Sequence, residues 1–101
     1  MKTIASLKQD LFNNEVITVN VKDSTNITMY SYNPDTEVLS ILFKKGTLYK
    51  YNNVGKDVVL KFLNTSMING SIGQVFRRFV LDKYAYTRFD DMGAEKYTVS
   101  V

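Results

Sequence analysis

Apolar and polar positions alternate with a period of two through much of the first half of the chain, the spacing of strands that bury one face. Glu15 to Val21 is β-branched and weakly alternating, and Asn26 to Tyr32 follows after the polar break Lys22-Asp23-Ser24-Thr25; both segments read as strands. Asn33-Pro34-Asp35-Thr36 sets proline at the second position of a turn, where its fixed φ fits, and places the Asn33 side chain to accept from the backbone that follows. A hairpin is therefore predicted. From Glu37 to Phe43, Leu39, Ile41 and Phe43 share one face while Val38, Ser40 and Leu42 share the other, so the sheet is expected to be covered fully on one side and partly on the second. Lys44-Lys45-Gly46 supplies a second tight turn, with glycine free to take positive φ, and Thr47, Tyr49 and Tyr51 then alternate with Leu48 and Lys50.

Elsewhere the period lengthens. Ile4, Leu7, Lys8 and Leu11 form a short helical face opened by Thr3 and ended by Asn13-Asn14, and Val58, Val59, Phe62 and Leu63 cluster on the stripe of a helix of about two turns. Asn64 to Gly70 reads as a polar linker. Ser71 to Gln74 matches a capping box, after which Ile72, Val75, Phe76, Phe79 and Val80 recur as a core-facing stripe that leaves Arg77 and Arg78 on the opposite side. Tyr84, Tyr86 and Phe89 suggest a short extended segment, Asp90-Asp91-Met92-Gly93 a turn, and Glu95 to Val101 a terminal strand. The expected fold is a single small α+β domain: a mainly antiparallel sheet of three to five strands with two short helices packed on one face. Residues 24–89 form its body, with residues 1–23 and 90–101 as flanks.

The 101 residues include no cysteine and no histidine. Disulfides, thiol nucleophiles, Cys/His zinc sites, haem ligation and histidine-based triads are all excluded, because each needs a soft ligand or a base that titrates near neutrality. The ten carboxylates show no calcium-loop or two-metal spacing, and the nearest approach to one is Asp90-Asp91 with Glu95. A non-catalytic protein without a cofactor is the expectation. The amino end carries two early lysines and a polar middle, unlike a secretory signal, and no run approaches the apolar length of a membrane span, so a cytoplasmic location is expected. Net charge is only +3, yet residues 44–88 carry nine basic side chains against two acidic ones, a balance of +7 that leaves −4 for the rest.

Ser24 to about Phe89 resembles the KTSC domain, a small module named for its place at the carboxy terminus of some lysyl-tRNA synthetases and also found alone in bacterial and phage proteins. The resemblance is carried by Ser24-Thr25-Asn26-Ile27, by Tyr32-Asn33-Pro34-Asp35 leading into Leu39 to Phe43, and by Gly46-Thr47-Leu48-Tyr49-Lys50-Tyr51 with Val54 soon after. Ser71-Ile72-Gly73-Gln74-Val75-Phe76, then Val80 and Tyr84, complete it. Where the family has proline after Val54, this chain has Gly55. What the resemblance implies is an α+β module associated with nucleic acid by the company it keeps.

The residues themselves supply cations for phosphates and flat rings for bases, the two ingredients of single-strand binding. Lys44, Lys45, Tyr49, Lys50 and Tyr51 gather on and beside one hairpin, and Arg77, Arg78, Lys83 and Arg88 add a second basic edge. RNA or single-stranded DNA is the expected ligand. The plainer account has the tyrosines facing the helices as core, Lys44-Lys45 solvating a turn, and Arg77-Arg78 solvating the back of a helix. Ser71 and Gly73 fit an anion-gripping helix start, and equally fit capping and close packing. The competing function is a protein-interaction module, in which the strand-prone flanks pair with a second copy in a homodimer or with a host or nucleic-acid-associated protein that the module binds or inhibits.

Overall fold

The computed structural model describes residues 3–21, 26–67, 72–89 and 95–99. Their order is α1 (Ile4–Phe12), β1 (Ile17–Asn20), β2 (Ile27–Asn33), β3 (Val38–Phe43), β4 (Leu48–Tyr51), α2 (Lys56–Met67), α3 (Ile72–Phe79), β5 (Tyr86–Phe89) and β6 (Glu95–Val99). The α+β class stands. The six strands form one antiparallel meander in chain order, and α1 joins the two expected helices. Both flanks thus contribute to the same sheet as the central hairpins. Among the described residues, no helix is long and apolar enough to cross a membrane.

Register explains why one face of this sheet is covered and the other open. Directly paired residues share a face, so the ladder Ile17, Tyr32, Leu39, Tyr51, Tyr86 crosses β1 to β5 as one apolar row, and Val19, Tyr30, Ile41, Tyr49, Arg88 crosses as a second that is apolar as far as Tyr49. The intervening row is Thr18, Ser31, Ser40, Lys50, Thr87, which turns polar groups to the opposite face. A register shift between Ile27 and Met29 lets Ile27 and Tyr30, three residues apart, both be buried. All three helices supply the cover. Leu7 and Leu11 of α1, Val58, Val59, Phe62 and Leu63 of α2, and Ile72 and Phe76 of α3 are buried in a single core with the apolar rows.

Local chemistry accounts for the turns. Asn33 Oδ1 accepts from the Asp35 backbone N–H at 3.0 Å, the expected side-chain turn, and Gly46 takes φ 90° while its N–H donates to the Phe43 carbonyl at 2.9 Å. Thr3 caps α1, its Oγ1 accepting from the Ser6 N–H at 3.1 Å. The capping box expected at Ser71 lies outside the described residues.

One expectation is corrected. Asn64 to Met67 are helix and not linker: α2 runs on to Met67, four residues beyond the end of its apolar stripe, while residues 68–70 of the expected linker lie outside the described residues. Thr65 Oγ1 donates back to the Lys61 carbonyl at 2.8 Å, and the Asn64 side chain accepts from Lys8 Nζ, so polar residues that favour loops are satisfied within the helix. The amino-terminal flank holds the short helix and strand read from its sequence, and both join the rest of the fold. Lys8 to Asn64 ties α1 to α2, Lys56 Nζ donates to Asn14 Oδ1 in the turn after α1, and β1 pairs along β2.

One buried hydrogen bond fastens the entry to α2. The Tyr32 hydroxyl donates to the Val54 carbonyl, whose own N–H donates to the Glu37 carbonyl at 2.9 Å, joining the β2–β3 turn to the segment after β4. Burial, with the Glu37 and Asp57 carboxylates nearby, pushes the Tyr32 hydroxyl up from its ordinary value of 10.0 to about 12. The unfolded chain releases this proton near 10 and the folded chain only near 12, so the contribution is intact below pH 10 and is lost as pH rises from there to 12. The slope is up to about 1.4 kcal/mol per pH unit. Tyr32→Phe is expected to cost about 1–2 kcal/mol at pH 7, by stranding the Val54 carbonyl, and to flatten the alkaline limb. Urea denaturation at pH 7 and across pH 9–12 measures both, and an unchanged alkaline slope would remove Tyr32 as its source.

Candidate nucleic-acid interface

The antiparallel register brings β4 and β5 together across the whole α2–α3 excursion. Tyr51 pairs with Tyr86 and Tyr49 with Arg88, so two tyrosines, a third tyrosine and an arginine stand on the covered face of neighbouring strands. Here α3 does not reach far enough to seal the face. A cleft of about 510 Å³ remains between the β3–β4 turn, β5 and α3, within the size range of small-molecule sites.

Aromatic rings make its floor. Phe76 of α3 meets Phe43 edge-on at 5.5 Å and Tyr51 at 5.8 Å, fastening the helix to the sheet. Tyr49 packs against Phe43 at 5.3 Å, Tyr86 at 5.4 Å and Tyr51 at 6.1 Å, the last nearly parallel at 18°. Tyr51 is only 2% exposed and belongs to the core, whereas Tyr49, Tyr86 and Phe43 are half-buried and meet the open space.

Four cations surround this floor. Lys44 and Lys45 project from the hairpin turn, Arg77 from the outer side of α3, and Arg88 comes from β5 with its guanidinium 5.9 Å from the Tyr49 ring centroid. No carboxylate lines the cleft among the described residues. The rings offer stacking surface and the rim offers positive charge, a combination able to accommodate a planar anion.

The structure sorts the nine basic and aromatic residues singled out in the sequence. Lys44, Lys45, Tyr49, Tyr51, Arg77 and Arg88 converge on the cleft, though Tyr51 is a buried support and not a stacking platform. Its burial follows from the ladder, which sets it opposite Leu39 and Tyr86 on the covered face. Lys50 does not join them. One residue from Tyr49 and Tyr51 along a strand of period two, it emerges on the opposite face, with Nζ 5.3 Å from the Phe89 ring centroid above a shallower depression of about 370 Å³. Arg78 and Lys61 both lean on Phe79, at 5.5 and 5.0 Å, outside the cleft, and Lys83 is exposed in the turn after α3.

Phe43, Phe76 and Tyr86 complete the floor and were not foreseen as site residues. Period two along the strand does put Phe43 on the face of Leu39 and Ile41, but nothing local reveals that Tyr86 lies beside Tyr51. Gly73 does line the cleft, while Ser71, the other half of the proposed anion grip, lies outside the described residues. Among the described residues no three His, Cys, Asp or Glu side chains gather as a metal site, and the Asp90-Asp91 pair lies outside them, as does the Glu95 side chain.

Comparison with known proteins agrees with this architecture. A solved KTSC domain protein from Yersinia pestis superposes with a TM-score of 0.58 at 24% identity, over 70% of this chain and 93% of that one, a likeness of fold. A protein of Stutzerimonas stutzeri (strain A1501), described as uncharacterized, is 30% identical over 67 residues, which make up 66% of this chain and 90% of the relative. The family model for the KTSC domain matches residues 23–84, from the approach to β2 through the turn after α3. That span holds three of the four cleft cations and leaves Arg88 beyond its end. With its central hairpins and last two helices inside the match, the chain belongs to the KTSC domain family.

Proposed function

We propose that this chain is a small non-catalytic, cytoplasmic module that binds RNA or single-stranded DNA at the cleft between the β3–β4 turn, β5 and α3. The observation that carries the reading is the convergence of Lys44, Lys45, Arg77 and Arg88 around half-buried aromatic rings, with no carboxylate among the described lining residues. Phosphates neutralised by these cations release counterions, which supplies salt-sensitive affinity, and an unpaired base lies flat on Tyr49 or Tyr86. Duplex DNA fits less well. Its bases are stacked on each other, and a recess of about 510 Å³ admits one nucleotide, not a groove-filling element.

Titration of the purified protein with fluorescent single-stranded RNA, single-stranded DNA and duplex DNA over a salt series, with oligomeric state monitored, tests this. Micromolar affinity that falls with salt and favours single strands is the expected result. Absence of binding at about 50 mM salt would overturn it.

A protein-interaction reading rests on a different part of the molecule. Among the described residues β1 has a strand neighbour on one side only, and exposed Phe12 (59%) and Val16 (58%) flank the approach to it, features that suit strand addition by a second copy or another protein. Affinity independent of the cleft cations would favour that reading.

A further inference from the structure

The direction of the backbone groups on β1 follows from one bond. Val21 N–H donates to the Thr28 carbonyl at 2.9 Å, and these two residues continue the pairing of Ile17 with Tyr32 and of Val19 with Tyr30. Alternation along an antiparallel ladder therefore turns the N–H and C=O groups of Ile17 and Val19 toward β2, and those of Val16, Thr18 and Asn20 outward. Among the described residues no strand pairs with that outer side. Devices that guard an exposed edge are missing: the ladder with β2 runs without a register shift, and Ile17-Thr18-Val19-Asn20 has neither a charge nor a proline. On the approach to the strand lie Phe12 and Val16, two of the three large apolar side chains exposed among the described residues.

We propose, building on the strand-addition reading of β1, that the occupant of this edge is β1 of a second copy, paired antiparallel about a twofold axis at Thr18. In that register Thr18 exchanges both backbone bonds with Thr18 of the second copy, and Val16 exchanges both with Asn20 on either side of the axis, so each of the three outward residues finds a partner. Moving the axis by one residue matches only two of the three. The same register sets Ile17 opposite Val19, which are 2% and 8% exposed on the covered face, so the apolar side of one sheet continues into that of the other. A twofold contact requires one patch to complement itself, and here the outward backbone groups and the buried alternation both do so about the same residue.

Charge favours this edge as well. Residues 1–23 hold three lysines (Lys2, Lys8, Lys22) and three carboxylates (Asp10, Glu15, Asp23), a side-chain balance of zero, whereas residues 44–88 carry +7. Two copies joined through β1 hold their β4 strands seven strand spacings apart, roughly 34 Å, several times the screening length in physiological salt. The two basic regions therefore do not repel one another, and the cleft beside β4 and β5 lies away from the contact. A strand this short buries little area, so the pairing is weak and concentration-dependent.

Sedimentation equilibrium of the full chain from about 1 to about 200 μM tests this, with circular dichroism and thermal melts to check that each variant folds. The parent is expected to pass from monomer to dimer across that range. Thr18→Lys and Thr18→Glu, at an exposed position, each set like charges opposite one another across the axis and should weaken pairing about tenfold, although the first raises the net charge from +3 to +4 and the second lowers it to +2. An equimolar mixture of the two variants should recover the dimer fraction of the parent, because opposite charges then meet. A parent that stays monomeric up to about 200 μM would overturn the second copy as occupant and leave strand addition by another protein standing. A dimer unaffected by either substitution would overturn the use of β1 altogether, and a loss in both variants without recovery in the mixture would overturn the register at Thr18.

Discussion

Replacing Phe62 by alanine is expected to destabilise the fold by about 3–5 kcal/mol, the range for removing a fully buried aromatic ring from a packed core. Phe62 is 0% exposed, sits on the inward stripe of α2 with Val58, Val59 and Leu63, and lies 5.2 Å from the ring of Tyr30 in the second apolar row of the sheet. Because α2 also contacts α1 and α3, the cavity would loosen all three helices at once. A domain of this length has a total stability of roughly 5–15 kcal/mol, so the loss is a large fraction of the whole and corresponds to a fall in melting temperature of roughly 15–30 °C. Phe62→Leu should lie between the two, since it keeps most of the volume. Thermal and urea denaturation of both variants provide the measurement. A cost under about 1 kcal/mol for Phe62→Ala would mean that α2 does not bring this ring onto the sheet.

Local chemistry made the central hairpins legible from sequence. Asn33-Pro34 and Lys44-Lys45-Gly46 encode their turns in residue types, and the alternation between them sets the faces of β3 and β4 without outside help. Legibility fails where a residue's state depends on distant pairing. Asn64 and Thr65 look like a loop until Lys8, fifty-six residues before Asn64, and the Lys61 carbonyl are in place to satisfy them. The strands of the flanks are short and weakly patterned, and only pairing with β2 and β5 gives β1 and β6 a place. At the candidate site the same division holds. The lysines and Arg77 were identified by local charge, and Lys50 was grouped with them by proximity in the chain, although strand alternation alone already turns it away from Tyr49 and Tyr51. Arg88 needed the β4–β5 register: the ladder that is apolar from Val19 to Tyr49 ends on a guanidinium, and that ending places a cation above the aromatic floor.

That distribution of charge leads to the second large effect. Lys44→Ala, Lys45→Ala and Arg77→Ala combined remove three of the four cations at the cleft, and affinity for a single strand is expected to fall about a hundredfold at roughly 1 kcal/mol for each exposed contact. The salt dependence should change with it. Four phosphate contacts on a single strand give a logarithmic slope of about −2.8, and the one remaining at Arg88 gives about −0.7. Stability should stay close to that of the parent, since all three side chains are exposed and none takes part in an ion pair among the described residues. The informative comparison is a second triple variant, Lys50→Ala with Arg78→Ala and Lys83→Ala, which lowers net charge from +3 to zero just as the first does but leaves the cleft intact. If binding were a general response to a basic protein, the two variants would lose affinity equally, and the cleft would have no part in it. A loss confined to the first variant locates the phosphate contacts at the turn and α3, where the sheet register has put Arg88 and Tyr49 beside them.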